Sequence, residues 1–129
     1  MIYLLIFIIA LVVSWLTTYA VRRSAQKLDI VDRPGPARKI HTQPIPLLGG
    51  VGIFLTLVLV GASYYFFAPP SWPSIVDDDV RIKHLIGLAL AAFVIVIGGA
   101  IDDRFALKPT HLIVAPFVAV LVVIAFGLG

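Results

Sequence analysis

The chain alternates between long apolar stretches and short polar segments. Four stretches contain no Asp, Lys or Arg, and they cover residues 2–21, 47–68, 85–101 and 112–129. Each approaches the ~20 residues that an α-helix needs to cross ~30 Å of hydrocarbon. The pattern predicts an all-α fold: a polytopic membrane helical bundle, with four transmembrane helices in one transmembrane region, 1–129.

Composition supports a membrane protein. The 129 residues are 60% hydrophobic and 13% charged, with no cysteine. Soluble domains are roughly 45–50% apolar and about 25% charged, so a soluble globule of this size could not bury so much apolar surface. The lack of cysteine excludes thiolate nucleophiles and cysteine-based metal sites. Arg22 and Arg23 follow the first apolar stretch instead of preceding it, which favours a membrane anchor over a cleaved signal peptide.

The distribution of positive charge predicts the orientation. Residues 22–46 hold six of the ten Lys and Arg, and residues 102–110 hold Arg104 and Lys108. Because Lys and Arg concentrate in cytoplasmic loops, we expect these two segments to be cytoplasmic, with the N-terminus and the loop 69–83 outside. The expected location is the inner (cytoplasmic) membrane, where the chain is a multi-pass protein.

Two adjacent carboxylates, Asp102 and Asp103, follow the third apolar stretch. The negative end of a helix disfavours an anion by roughly 0.3–1 kcal/mol, and two neighbouring carboxylates repel each other. Arg104 and Lys108 are local cations, but Mg²⁺ would compensate better, since it binds one or two carboxylates together with substrate phosphates.

Successive side chains on a helix diverge by about 100°, so a regular helix would not aim both carboxylates at one ion. Either the chain unwinds after Gly98–Gly99, or one acid ligates metal while the other orients or deprotonates a nucleophile. The alternative is that the acids simply cap a span in water. We interpret another acidic run, Asp77–Asp79, as a solvated loop, because it lies on the outer side with no basic loop opposite.

The segment "VDRPGPARKIHTQPIPLLGGVG" sets basic residues among four prolines. Proline limits backbone freedom and disfavours a helix. A stiff basic loop suits phosphate binding, where Arg grips bidentately and Lys acts as a point charge, so Arg38, Lys39 and His41 are candidates. Gly49 and Gly50 permit close backbone approach, to a phosphate or to a neighbouring helix. The alternative is ordinary positive-inside charge with helix-packing glycines.

"DRPGPARKIHTQPIPLLGG", followed after two spans by "GGAIDDRFALKP", resembles the polyprenyl-phosphate N-acetylhexosamine-1-phosphate transferases. The resemblance runs from about Asp29 to Pro109. The form "RKIH…PIP…GG" is more similar to the undecaprenyl-phosphate GlcNAc-1-phosphate transferases than to the related phospho-MurNAc-pentapeptide translocases. Family members are longer, with roughly ten spans, so the resemblance implies an N-terminal part whose activity alone stays open.

The resemblance implies Mg²⁺-dependent transfer, with Mn²⁺ as the other candidate metal, of an N-acetylhexosamine 1-phosphate from a UDP-sugar to undecaprenyl phosphate. UMP leaves, and the product serves envelope polysaccharides such as lipopolysaccharide or teichoic acid. Asp102 and Asp103 match the catalytic, metal-binding aspartates, while the remaining metal ligands belong to later loops without a counterpart here. Lys39 and His41 match the family's basic motif and would bind substrate phosphate, with Arg38 beside them to help. Gly49 and Gly50 match the family's glycines.

The implied partners are undecaprenyl phosphate, a UDP-N-acetylhexosamine and the lipid bilayer, without nucleic acid; a homodimer stays open. The competing hypothesis is a small four-span membrane protein that binds a partner or stabilises a complex without catalysis. A transporter is less favoured, because transport sites place ionisable groups within spans and these spans hold no Asp, Lys or Arg.

Overall fold

The computed structural model describes residues 1–32, 45–74 and 81–128. The described chain is mostly helical, as predicted, with one short antiparallel β-hairpin. In chain order its elements are α1 (Ile2–Lys27), β1 (Val31–Asp32), β2 (Ile45–Pro46), α2 (Gly49–Phe67), α3 (Ile82–Phe105), α4 (Pro109–Leu112) and α5 (Val114–Ala125). Three helices, α1, α2 and α3, are long and apolar enough to cross a membrane, and Pro109–Ala125 forms a shorter apolar segment.

Two of the long helices continue beyond their apolar stretches. The apolar pattern ends at Val21 and Ile101, whereas α1 runs to Lys27 and α3 to Phe105. Their 26 and 24 residues correspond to about 39 Å and 36 Å, more than the ~30 Å of a hydrocarbon core. The polar last turns of both helices are therefore left for the membrane interface.

The surface of the bundle is apolar, while its buried positions are occupied mostly by small residues. Phe93 is 48% exposed and Ile124 is 57% exposed, whereas Ala25, Ala91 and Ala119 are buried. Lipid tails are as apolar as leucine, so large side chains gain little from leaving them. Close backbone approach and interhelical hydrogen bonds hold such helices together instead.

Helices α3 and α5 pack antiparallel through small residues. A Cβ added at Gly87 would lie 2.4 Å from Cβ of Phe126, and one added at Gly98 would lie 2.4 Å from Cβ of Ala115. The start of α3 thus contacts the end of α5, and the C-terminal half of α3 contacts the start of α5. Because neither position has room for a methyl group, these glycines set how closely the two helices approach.

Helices α1 and α2 are joined by a polar contact between two threonines. The hydroxyl oxygens of Thr17 and Thr56 lie 2.7 Å apart, and the Thr56 hydroxyl donates to the carbonyl oxygen of Gly52. Gly52 is buried, and a Cβ there would lie 3.6 Å from the backbone of Thr18. Hydrogen bonds between membrane helices contribute on average about 0.6 kcal/mol, so this contact fixes register more than it adds stability.

The fourth apolar segment is interrupted. Helix α4 ends at Leu112 and α5 begins at Val114. Pro116 lacks an amide hydrogen, and its ring would clash with the carbonyl of the residue four positions earlier, Leu112. Pro116 thereby explains the break.

The packing predicts opposite effects of alanine at two adjacent glycines of α3. Gly98→Ala should lower the free energy of unfolding by about 1–3 kcal/mol, because its methyl group would overlap Ala115. At Gly99 no described atom lies within 4 Å of an added Cβ. Gly99→Ala should therefore be neutral or stabilise by up to about 1 kcal/mol through helix propensity. Denaturation in detergent micelles measures both, and equal effects would contradict the packing.

Candidate functional site

The last turn of α3 contacts both the end of α1 and the start of α2. The Arg104 guanidinium nitrogen Nη1 donates to the carbonyl oxygen of Leu28, at 2.7 Å. The backbone amide of Leu48 donates to Oδ2 of Asp103, at 2.8 Å. The described parts of the predicted loops 22–46 and 102–110 therefore lie at the same end of the bundle, as a shared site requires.

Asp103 compensates the positive end of α2. Leu48 is the N-cap residue of that helix, in a left-handed conformation with φ 68°. Amides at a helix start lack partners within the helix, and a carboxylate there both accepts a hydrogen bond and opposes the helix dipole. Asp103 is half-buried. Its unfavourable place at the negative end of α3 is thus offset by the positive end of α2.

Asp102 stabilises the turn that ends α3. Its Oδ1 accepts the amide of Leu107 at 2.9 Å, and its backbone carbonyl accepts the amide of Ala106 at 2.8 Å. Ala106 has φ 48°, a left-handed conformation that glycine usually supplies at helix ends. The side chain of Asp102 therefore helps to hold a strained turn directly after the helix.

The two acids point to different partners on a continuous helix. Helix α3 passes through Gly98–Gly99 without unwinding, so the first of the two geometric alternatives is wrong. Within the described chain, Asp102 and Asp103 each have one oxygen in the hydrogen bonds given above. The geometry agrees with distinct roles for the two carboxylates.

The carboxylates fit Mg²⁺ only as part of a larger ligand set. In residues 1–32, 45–74 and 81–128 there is no group of three or more His or Asp side chains that could hold a metal. Each half-buried carboxylate still has a second oxygen, which no described residue engages. One or two carboxylates suffice for Mg²⁺ when substrate phosphates and water supply the other ligands.

The predicted phosphate-binding residues Arg38, Lys39 and His41 lie outside the described residues. Gly49 and Gly50 form the first turn of α2 and are exposed. A Cβ at either would meet no described atom within 4 Å. Helix packing within the described chain thus gives no reason for glycine at these two positions.

A β-hairpin, which the sequence did not predict, connects this end of the bundle. Val31 pairs with Pro46 and Asp32 with Ile45, while the amide of Leu47 donates to the carbonyl of Ile30 at 3.1 Å. Strands of two residues are too short to show an alternating pattern. The hairpin sets side by side the two residues that flank the basic segment 33–44.

The chain is similar in sequence to several known proteins. The chain is 32% identical over 126 residues to a protein of Pasteurella multocida, covering 98% of this chain and 30% of that protein. It is 34% identical over 88 residues to one of Thermotoga maritima (66% and 30%), and 33% identical over 109 residues to one of Salmonella typhi (83% and 26%). All three are named undecaprenyl-phosphate alpha-N-acetylglucosaminyl 1-phosphate transferase. The homologues of this chain are GlcNAc-1-phosphate transferases.

This homology confirms the resemblance seen in the two motifs. The chain spans about 30% of the length of the Pasteurella and Thermotoga transferases. No protein-family model and no solved structure matches the chain. The names of the three transferases agree with the branch that the "RKIH…PIP…GG" form indicated.

The hydrogen bonds predict separate local effects of the two acids. Asp103→Ala should speed amide exchange at Leu48 roughly ten- to hundredfold, because a bond to a charged group contributes about 1.5–3 kcal/mol. Asp103→Asn, which keeps an acceptor oxygen, should have a smaller effect. Asp102→Ala is the matched control and should speed exchange at Leu107 but not at Leu48. Hydrogen exchange in nanodiscs measures these rates, and unchanged exchange at Leu48 in Asp103→Ala would refute the contact.

Proposed function

We propose that this chain supplies part of the active site of a Mg²⁺-dependent transferase. The enzyme moves GlcNAc 1-phosphate from UDP-GlcNAc to undecaprenyl phosphate and releases UMP. The observation that carries the proposal is the last turn of α3, which contains Asp102 and Asp103 and contacts the start of α2 through Asp103 and the end of α1 through Arg104, in a homologue of such enzymes. Other segments of a complete enzyme would supply the remaining metal ligands.

The chemistry needs positive charge at this end of the bundle. Both reactants carry phosphates and repel each other, so fixed cations and a metal must offset the charge that develops during transfer. Lys39 and His41, helped by Arg38, are proposed to bind substrate phosphate. Support comes from the pairing of Asp32 with Ile45, which brings the two ends of their segment together, and from the nearby Leu48, whose amide bonds Asp103.

In the proposed reaction, a phosphate oxygen of undecaprenyl phosphate attacks the β-phosphorus of UDP-GlcNAc. A new phosphorus–oxygen bond forms, the bond to the UMP oxygen breaks, and a lipid-linked sugar pyrophosphate results. Mg²⁺, when bound, polarises the phosphoryl oxygens and stabilises the leaving group. Of Asp102 and Asp103, one would hold the metal and the other would orient the attacking phosphate; which does which stays open.

A site at the membrane interface would suit the two substrates. Undecaprenyl phosphate is confined to the bilayer, so its phosphate would arrive at the interface, where we propose that the polar ends of α1 and α3 lie. UDP-GlcNAc arrives from the water phase. The excess of Lys and Arg in 22–46 supports a cytoplasmic location for this end.

The proposed orientation predicts selective labelling. Because the chain has no cysteine, single reporters can be introduced as Gln43→Cys, Lys108→Cys and Ser74→Cys. In intact cells a membrane-impermeant maleimide should label only the Ser74→Cys protein, and it should label the other two after permeabilisation. Labelling of Gln43→Cys and Lys108→Cys from opposite sides would exclude a shared site.

Activity is tested in membranes that contain this chain, alone and together with the segments of the Pasteurella transferase outside the matched part. Wild-type protein so completed should convert radiolabelled UDP-GlcNAc to lipid-linked product, and EDTA should abolish the reaction. Asp102→Asn and Asp103→Asn should each lower the rate roughly 10²–10³-fold, as expected for groups that stabilise the transition state. Asp78→Asn, in the loop 69–83, is the matched control and should leave the rate unchanged. Absence of product from the completed wild-type protein would overturn the proposed enzyme.

A second candidate, a non-catalytic membrane protein that binds a partner, is favoured by one observation. Asp102 and Asp103 both accept backbone hydrogen bonds, and these would justify the two acids on structural grounds alone. Under this alternative the chain inserts stably by itself, and Asp102→Asn leaves its biological activity unchanged.

A further inference from the structure

Consecutive residues of α3 hold the two ends of one connection. Arg104 binds Leu28, where α1 ends, and Asp103 binds Leu48, where α2 begins. We propose that Arg104 is a positioning residue, which sets the place of the hairpin, Val31–Asp32 and Ile45–Pro46, relative to Asp102 and Asp103. The proposal rests on the proposed function, since its consequence is the placing of the two residues that flank the basic segment.

The Arg104 contact stabilises a helix end that needs a donor. The last carbonyl groups of a helix have no amide partner within it, and a cation there opposes the negative end of the helix dipole. Leu28 is the C-cap residue of α1. A guanidinium nitrogen 2.7 Å from its carbonyl oxygen meets both requirements.

Leu28 is joined to the hairpin by a tight turn and by backbone hydrogen bonds. The chain turns at Asp29, with φ 56°, and the amide of Ile30 donates to the carbonyl of Ala25 at 2.9 Å. The carbonyl of Ile30 in turn accepts the amide of Leu47 at 3.1 Å. A short series of backbone bonds thus joins the Arg104 contact to both strands of the hairpin, and to the N-cap amide that Asp103 accepts.

The sequence suggested that Arg104 compensates the charge of the neighbouring carboxylates. The structure shows a different contact for its guanidinium group. Within the described part of the chain, its guanidinium bonds to the Leu28 carbonyl and not to Asp102 or Asp103. Arg104 lines a groove of about 410 Å³ together with Leu28, Ile30 and Ile97. Arg104 is therefore placed to hold α1 and the hairpin, and not to meet the reacting phosphates.

The proposal predicts an effect of Arg104 substitution on the position of the hairpin. Spin labels at Ile45→Cys, an exposed position of β2, and at Lys108→Cys, in the full chain in nanodiscs, report the separation of the hairpin from the segment after α3. Arg104→Ala should shift or broaden the distance distribution, while Arg104→Lys, which keeps a charged donor, should restore part of it. Arg22→Ala is the matched control, because it removes a positive charge near the same end, and the side chain of Arg22 makes no hydrogen bond within the described chain. Its distance distribution should match wild type.

The completed enzyme gives a second readout. Arg104→Ala should raise the KM for UDP-GlcNAc roughly tenfold, as expected for loss of one charge-assisted contact, and change kcat much less. Arg104→Lys should recover part of the loss. A fall in kcat without a change in KM would place Arg104 at the reacting phosphates and overturn a positioning role, as would unchanged kinetics.

The two proposals fail separately. An unchanged distance distribution in Arg104→Ala overturns the positioning role even if the completed enzyme is active. An inactive wild-type enzyme overturns the proposed function, while the distance measurement still decides whether Arg104 holds the hairpin. If Arg104→Ala does not fold, the comparison is made with Arg104→Gln, which keeps a neutral donor, and a distribution identical to wild type then counts against the proposal.

Discussion

The hydrogen bond between the Leu48 amide and the Asp103 carboxylate is the interaction on which this end of the molecule depends. It links the negative end of α3 to the positive start of α2, so that each helix end reduces the electrostatic cost of the other. The contact also explains how a carboxylate is tolerated half-buried beside a long apolar helix. The neighbouring Arg104 adds a bond of the opposite polarity to the end of α1.

The remainder of the described bundle is held by close approach and not by a core of large side chains. Gly87 and Gly98 allow α5 to lie against α3, and Thr17 meets Thr56 between α1 and α2. Such an arrangement is stable in lipid, where large apolar side chains remain solvated on the outside. It leaves the polar ends of the helices free to be organised by hydrogen bonds at the interface.

The polar contacts at the helix ends and the close packing of the helices together determine the geometry of the candidate site. The helices are fixed by contacts within the apolar region, while the carboxylates are fixed by backbone amides at the end of the bundle. Each acid therefore has a structural bond through one oxygen, and within the described chain its second oxygen has no hydrogen-bond partner. Substitution of either acid would disturb structure and chemistry together, which is why asparagine is more informative than alanine at Asp103.

The sequence by itself determined a helical fold with four apolar segments and the Asp102–Asp103 pair after the third, because apolar length and charge placement are local properties of the chain; that the fourth segment is shorter and interrupted came from the structure. The two motifs also sufficed to identify the homologous transferases. Only the tertiary structure decided that α3 stays helical through Gly98–Gly99 and that its two acids face different partners. It also showed the hairpin and the Arg104–Leu28 contact. The Asp103–Leu48 and Arg104–Leu28 contacts join residues 55 and 76 positions apart along the chain. In each contact one partner is a backbone amide or carbonyl, which nearly every residue has, so no pattern of side chains reveals it.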